Sequence, residues 1–447
     1  MLRLLAENGI KFYRTDGGHP WGGPTGIIDA NDVVLIKVNC QWKCRGTTNT
    51  DVLRGLIYRI LQQPDGFGGE VVIFENGQGE GSFYGDPRSW GHYSPWPEID
   101  NGIYVNAEEE TILTVDYLVN TVFKVYPVSS YLLDPIRSNF ISDSDHLTDG
   151  YRKTSDVSYP CFTSAGGHRI ELREGIWNGS GYDTNLKLIN LPVLKTHEGT
   201  GITGILKHSY GILSMADGYS GIRHYSESGT QCGKMWSLVR IPDLNILDCI
   251  WVSHESLGGY PPETTYRTNI LLGGTDPVAL DYYGSKHVLL PLGGSRAHEH
   301  DPDSFSGLIN HLTGARDFIN ANGGIGGEVT HVGDDNIELI SASAFSSAEG
   351  GSTGGGGVGG CFIATAAYGS RMAKDVKVLQ RVRDTWLLTN RVGRAFVSFY
   401  YKQSPKLANH ISRRPLLRSI VRAGLYPLVQ IGRLVIETGK DRRQGQQ

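Results

Sequence analysis

The segment from Val33 to Phe74 constrains the fold more than any other stretch of the chain. Val33–Val38 reads Val-Val-Leu-Ile-Lys-Val, a short β-branched run with the character of a buried strand. Thr47–Thr50 then supplies cap-type residues. Over Asp51–Gln62 the apolar positions Val52, Leu53, Leu56, Ile57, Ile60 and Leu61 recur at the spacing of an amphipathic helix. Pro64–Gly69 breaks that helix, and Val71–Phe74 is a second apolar strand. A strand, a helix and a strand in this order favour a parallel pair, because parallel neighbours need a long crossover. The expectation is an α/β domain with a mixed or mostly parallel sheet flanked by helices.

The rest of the first 340 residues continues in kind. The pattern predicts a helix over Glu108–Tyr126 and buried strands at Lys187–Leu191, Leu244–Val252 and Asn269–Leu272. Asp276-Pro277 opens a helix that runs to about Leu289. A further amphipathic helix covers Phe305–Asn320, and Asn336–Ile340 reads as a last strand. Composition then changes abruptly. Residues 341–360 are Ser, Ala and Gly with almost nothing to pack, as in a flexible linker. Helical segments follow at about Ala373–Leu388, Gly393–Tyr401 and Leu416–Ile436. The expected organisation is an α/β domain over 1–340, a linker over 341–360 and a small basic all-α module over 361–447.

The formal net charge of −4 hides a split. From Cys361 onward there are 17 Lys and Arg against 4 Asp and Glu, a net of +13, which leaves 25 basic and 42 acidic residues, a net of −17, in the rest. Such asymmetry points to a tail that meets something anionic. Basic helices with apolar partners such as Leu416, Leu417, Ile420 and Leu425 suit an anionic membrane surface. Nucleic acid is not expected, because no recognised motif or aromatic interleaving accompanies the charge. Six cysteines in 447 residues do not make a disulfide framework. The opening Met-Leu-Arg-Leu-Leu-Ala-Glu turns polar too soon for a secretory signal. The expectation is either a cytoplasmic protein or a start further upstream, with export or membrane association in the second case.

Several stretches, in consistent order over most of residues 1–340, resemble the bacterial and archaeal proteins grouped as domain of unknown function 362. They are Ile36-Lys37-Val38-Asn39 with Thr47-Thr48-Asn49, then Leu191-Pro192-Val193-Leu194-Lys195-Thr196-His197 and Gly201-Ile202-Thr203-Gly204-Ile205-Leu206-Lys207. Tyr210-Gly211, Asp243–Asp248 and Gly274–Asp281 continue the series. The resemblance implies an α/β fold and leaves the activity open. Some members carry a ferredoxin-like cysteine cluster. This chain has no Cys-x-x-Cys-x-x-Cys run, so an iron–sulfur role is not carried over. The tail, from Cys361-Phe362-Ile363-Ala364-Thr365-Ala366-Ala367-Tyr368-Gly369-Ser370, is similar to the C-terminal CFI-box module, whose recurrence behind unrelated domains implies a portable addressing or anchoring role.

The richest stretch for chemistry runs from Lys195 to His208, just past a predicted strand. Loops at the C-terminal ends of strands are where α/β sheets bind ligands. Lys195 and Lys207 suit a carboxylate or phosphate, and His197 suits general acid–base work, so these three are the candidate catalytic residues. Lys37, Asn39, Thr48, Asn49 and Asp281 are candidate ligand-binding residues, with Glu75 and Asn76 at a neighbouring strand end. The plain alternative is that His197 pins a loop and both lysines are solvated. Asp276 reads as a helix cap. Cys40 and Cys44 read as ordinary thiols, or as a local disulfide in an exported protein. His298-Glu299-His300-Asp301 offers ligands for a divalent metal, set against a polar surface loop. Gly77-x-Gly79-x-Gly81 lacks dinucleotide-binding spacing, and the aromatics Trp90, Tyr93 and Trp96 suit either a cleft or loop packing. The leading expectation is an enzyme acting on an anionic small molecule. Its rivals are a non-catalytic binding module at the cell envelope and a thiol or iron–sulfur redox protein.

Overall fold

The computed structural model describes residues 1–40, 44–76, 106–107, 113–214, 224–259, 261–325 and 332–341, with a few positions between 417 and 430. The chain divides into two compact units, Met1–Leu339 and Ile340–Gln447. In the second unit the positions described between 417 and 430, among them Leu417, Val421, Arg422 and Leu425, are helical. Most of the expected linker, Cys361 and the signature that follows it, the glycine series at 77–81 and the aromatics Trp90–Trp96 lie outside the described residues.

The first unit is built on an eight-stranded sheet. Strands β1 (Val33–Val38), β2 (Glu70–Glu75) and β3 (Val128–Leu132) run parallel, with Val33 opposite Glu70 and Val71 opposite Val128. The expected crossover is helix α1 (Thr50–Leu61), capped by the side chain of Asn49. Side chains of β1 alternate between faces. Val34, Ile36 and Val38 pack with Leu53, Leu56, Ile57 and Ile60 of α1 on one side. Val33 and Leu35 join a second core on the other. Both faces are therefore covered, which is why every residue of β1 and β2 is buried.

A second, antiparallel sheet that the sequence pattern does not announce closes part of that other face. Its strands are β4 (Gly150–Lys153), β5 (Ser158–Thr163), β6 (Arg169–Glu171), β7 (Gly175–Trp177) and β8 (Tyr182–Asp183), paired in sequence order. Tyr151, Phe162 and Ile170 enter the core beside Phe74 and Leu35. The Glu70 carboxylate ties the two sheets, accepting hydrogen bonds from Ser129 (2.6 Å), Ser164 (2.5 Å) and the amide of Gly166 (3.0 Å).

Strand β9 (Leu186–Leu191) lies parallel to β1 in the register Leu186 to Val33 through Leu191 to Val38. After Pro192 the chain continues as β10 (Val193–His197), while β1 has already ended. The place beside β10 is taken by β11 (Gly201–Thr203), which returns antiparallel. On the opposite side β12 (Leu244–Ser253) pairs in parallel with both β9 and β10, and β13 (Thr265–Gly274) pairs antiparallel with β12. Helices α2 (Ser228–Leu238), α3 (Pro277–Tyr283) and α4 (Ser306–Ala321) complete the cover.

Some local expectations need correction. The helix expected over Glu108–Tyr126 is, in its described part, only Val115–Tyr117 followed by a wide π turn, Leu118–Val122. Its content of Val and Thr disfavours helix. The last strand at Asn336–Ile340 is absent. Asp334–Asn336 forms a 3-10 turn anchored through Asp334 to Lys286 and His287. Lys195 and His197 lie in a strand rather than a loop, and Lys195 and Lys207 are buried rather than solvated. Cys40 is a free, buried thiol and not half of a disulfide.

Candidate functional site

Lys37 interrupts an apolar strand, and so does Asn190 in Leu-Ile-Asn-Leu and Asn245 in Leu-Asn-Ile. The register makes these three polar residues direct neighbours across β1, β9 and β12. They therefore share one face of the sheet. The Asn190 side-chain amide donates to the carbonyl of Ile205 (3.1 Å) and to Asn245 Oδ1 (3.1 Å). Asn190 Oδ1 faces His208 Nδ1 at 2.5 Å, so that ring nitrogen carries the proton.

Lys37 is fully buried. Its Nζ donates to Glu75 Oε2 (2.8 Å) and to the carbonyl of Val38 (2.9 Å). Burial pulls the Lys37 ammonium down and pushes Glu75 up to about 7, each drawn back by the other. Gly211 lies so close that a Cβ there would collide with both Glu75 Oε1 and Lys37 Nζ. This is a close approach that only glycine permits.

Lys195, on β10, is 2 % exposed, and Lys207, on the 3-10 turn Lys207–Gly211, is 4 % exposed. The Lys195 Nζ donates to the carbonyl of Gly46 (2.8 Å). The Lys207 Nζ donates to the carbonyl of His224 (2.7 Å) and stands 4.9 Å from the centre of the Tyr210 ring. Neither has a carboxylate within ion-pairing distance among the described residues. Burial lowers both to about 7; at Lys195 the Glu75 charge opposes the shift and the Lys37 charge adds to it. Among the described residues, Lys37 is the one of these three buried lysines with a carboxylate, Glu75, within ion-pairing distance.

His197 lies two residues beyond Lys195 on the same face of β10. Its Nδ1 stands 2.7 Å from the carbonyl of Glu198, which can only accept, so Nδ1 is protonated and Nε2 carries the lone pair. Burial, reinforced by the Lys207 charge, holds the ring well below the usual histidine range. The His224 ring lies 5.2 Å away, lowered to about 4 by burial and by Lys207.

The other candidates build the walls. Asn39 Oδ1 accepts the amide of Val193 (2.9 Å) where β1 gives out. The Thr48 hydroxyl donates to the carbonyl of Leu191 and accepts the amide of Asn39, both at 2.8 Å. Asn49 Oδ1 caps α1, and its amide nitrogen donates nothing. The backbone amide of Asn49 donates to Asp248 Oδ2 (2.8 Å). Asp281 is fully buried, and its two oxygens accept the amides of Ile205 (2.6 Å) and Leu206 (2.9 Å). Burial raises it to about 7, against those two hydrogen bonds. It fixes the turn that carries Lys207. Asp276 caps α3 through the amides of Val278 and Ala279.

His300 is buried with its Nε2 3.0 Å from Thr196 Oγ1, while His298 is exposed, so the two do not converge. Among the described residues no group of three or more His, Cys, Asp or Glu is placed to hold a metal. None of their helices is long and apolar enough to cross a membrane. An open depression of about 640 Å³ lies past β3, lined by residues such as Asp134 and Arg137, and the lysines do not line it. The sequence reading passed over Asn190, Asn245 and His224. For the two asparagines the signal was the one Lys37 gives, a polar residue inside an apolar strand.

A family model described as a domain of unknown function (DUF362) matches residues 183–286. The matched span holds Lys195, His197, Lys207 and Asp281 and omits Lys37, Asn39, Thr48, Asn49 and Glu75. No curated protein and no solved structure matches the chain.

Proposed function

We propose that the α/β unit binds a small anionic molecule at the C-terminal ends of β1, β2 and β10 and acts on it as an enzyme. The observation that carries this reading is the burial of Lys195 and Lys207 with no carboxylate within ion-pairing distance among the described residues. An ammonium ion without a counter-charge is costly in a protein interior. A bound carboxylate or phosphate supplies the missing negative charge. His197, neutral and with a free Nε2, is placed to take or return a proton beside such a ligand. The thiol redox alternative draws no support from Cys40, Cys161, Cys232 and Cys249, which are buried with their thiols pushed up and so kept from the reactive thiolate.

The test is thermal stabilisation of the full chain by inorganic phosphate, citrate and acetate at pH 7. The expected result is a rise in Tm that increases with ligand concentration and is lost in Lys207→Met and in Lys195→Met. Equal stabilisation of both variants overturns the reading. The tail carries a separable proposal, that residues 361–447 hold the protein on an anionic membrane. Its support is the net charge of +13 over that segment. Co-sedimentation with phosphatidylserine vesicles checks it. The full chain should pellet at low salt, and a chain ending at Gly350 should stay in solution.

A further inference from the structure

The two lysines without a carboxylate partner are not equivalent. Lys207 faces the π-face of Tyr210 as well as the carbonyl of His224, surroundings that favour a cation. Among the described residues no aromatic ring lies over the Lys195 ammonium. Among the described residues its one polar partner is the carbonyl of Gly46, which accepts a hydrogen bond from a neutral amine as readily as from an ammonium. Its charged neighbours are Lys37 and Glu75, already paired with each other. Burial without a carboxylate in ion-pairing distance among the described residues favours the neutral, nucleophilic form of such an amine. His197 stands on the same face of the same strand with its lone pair on Nε2.

We propose that Lys195 forms an imine with the ligand of this site, which is therefore an anionic aldehyde or ketone held through its carboxylate or phosphate by Lys207. The proposal rests on the anion-site reading above and adds the substrate class to it. The Lys195 Nζ lone pair adds to the carbonyl carbon. Both amine protons then leave with the carbonyl oxygen as water, forming a carbon–nitrogen double bond. No oxidant or further reactant is required. His197 Nε2 is available to move the protons of the addition and the dehydration.

Reductive trapping tests it. The full chain is incubated at pH 7.5 with glyoxylate, or with pyridoxal 5′-phosphate, in the presence of cyanoborohydride, and the modified lysine is located by mass spectrometry of the peptides. The expected result is one dominant adduct on Lys195, formed on the order of a hundredfold faster than on surface lysines, because the neutral-amine fraction rises about tenfold for each unit by which a pKa falls while nucleophilicity falls less steeply. Inorganic phosphate should slow the labelling, and Lys207→Met should weaken it at low aldehyde concentration. Labelling spread over surface lysines, with Lys195 unmodified, overturns the proposal. Should phosphate still stabilise the chain in that case, the anion site stands and only the imine falls. Conversely, rapid labelling of Lys195 by uncharged propionaldehyde with no protection by phosphate keeps the reactive lysine and removes the anion site. Lys195→Arg, which keeps the charge and cannot form the imine, should bind phosphate and give no adduct at position 195, so a folding defect in Lys195→Met does not decide the question.

Discussion

Two buried polar clusters of the first unit treat charge in opposite ways. In the antiparallel sheet Glu171 is completely buried and receives Arg152, the Tyr182 hydroxyl and His146 Nδ1 (2.7 Å). Arg169 adds a bridge to Asp149 (2.8 Å), and the His146 ring stacks on Trp177 at 3.7 Å. Every charge there has an opposite charge or a donor of fixed geometry, as a structural network requires. At the ends of β1, β2 and β10, by contrast, the polar partners of Lys195 and Lys207 among the described residues are carbonyl oxygens, and Lys37 is the one lysine there with a carboxylate. A cluster selected for stability alone would resemble the first. The second lacks negative charge that an anionic ligand can supply, and perturbed, unbalanced groups of this kind concentrate at functional sites.

The largest expected effect sharpens that contrast from the structural side. Glu171→Gln keeps the shape of the side chain and strips the counter-charge from Arg152. The expected loss is about 3–5 kcal/mol of unfolding free energy, the usual consequence of breaking a buried pair from one side. Urea denaturation measures it. Phosphate binding by the folded fraction should be unchanged. A large change in phosphate affinity with little loss of stability would reverse the roles assigned to the two clusters.

The two clusters also differ in how far the sequence discloses them. The lysine end was legible because a charged residue inside an apolar strand is conspicuous, as Lys37 is in Val33–Val38, and because strand ends of a parallel sheet are the expected place for a site. Most candidates drawn from that reasoning do converge, with Lys37, Lys195, His197 and Lys207 in electrostatic contact. What the pattern could not supply was β10. Pro192 ends one strand on paper, whereas the chain runs straight on and only changes neighbour. The Glu171 cluster was not legible at all. Its strands span two to six residues, too short for a period of two to show, and it joins residues 146, 152, 169, 171 and 182 through pairings that no local pattern carries. Asp281 falls between these cases. Its place in a helix was read correctly, but its target, the amides of Ile205 and Leu206, lies some 75 residues earlier in the chain.

That target yields the next prediction. Asp281→Asn replaces one of two carboxylate acceptors by an amide nitrogen that faces a backbone N–H. The expected cost is about 1–3 kcal/mol for the buried donor left unpaired. The turn that holds Lys207 should loosen, so phosphate affinity should fall while the Glu171 network is untouched. Hydrogen exchange of the Ile205 and Leu206 amides is the direct readout. Protection equal to that of the parent chain would show that Asp281 does not hold the turn.

The smallest effect is the most diagnostic, because its sign differs between the clusters. Lys195→Met removes a buried amine that no carboxylate compensates and keeps an apolar side chain of similar length. Where Glu171→Gln destabilises, Lys195→Met should stabilise the unliganded chain by about 1 kcal/mol at pH 7. The gain should depend on pH in one direction. In the unfolded chain Lys195 holds its proton up to its ordinary value of 10.5, and in the folded chain only up to about 7. Between those values the unfolded state binds more protons, so the parent chain gains stability as pH rises. The advantage of Lys195→Met should therefore be constant below about pH 7 and shrink steadily towards pH 10. Paired urea titrations at pH 6, 8 and 10 measure the gap, and the alkaline gain is absent from the variant by construction of its side chain. A gap that does not narrow would mean that Lys195 keeps its proton in the folded protein, as a lysine compensated by a charge partner does, and the unbalanced cluster would then be balanced after all.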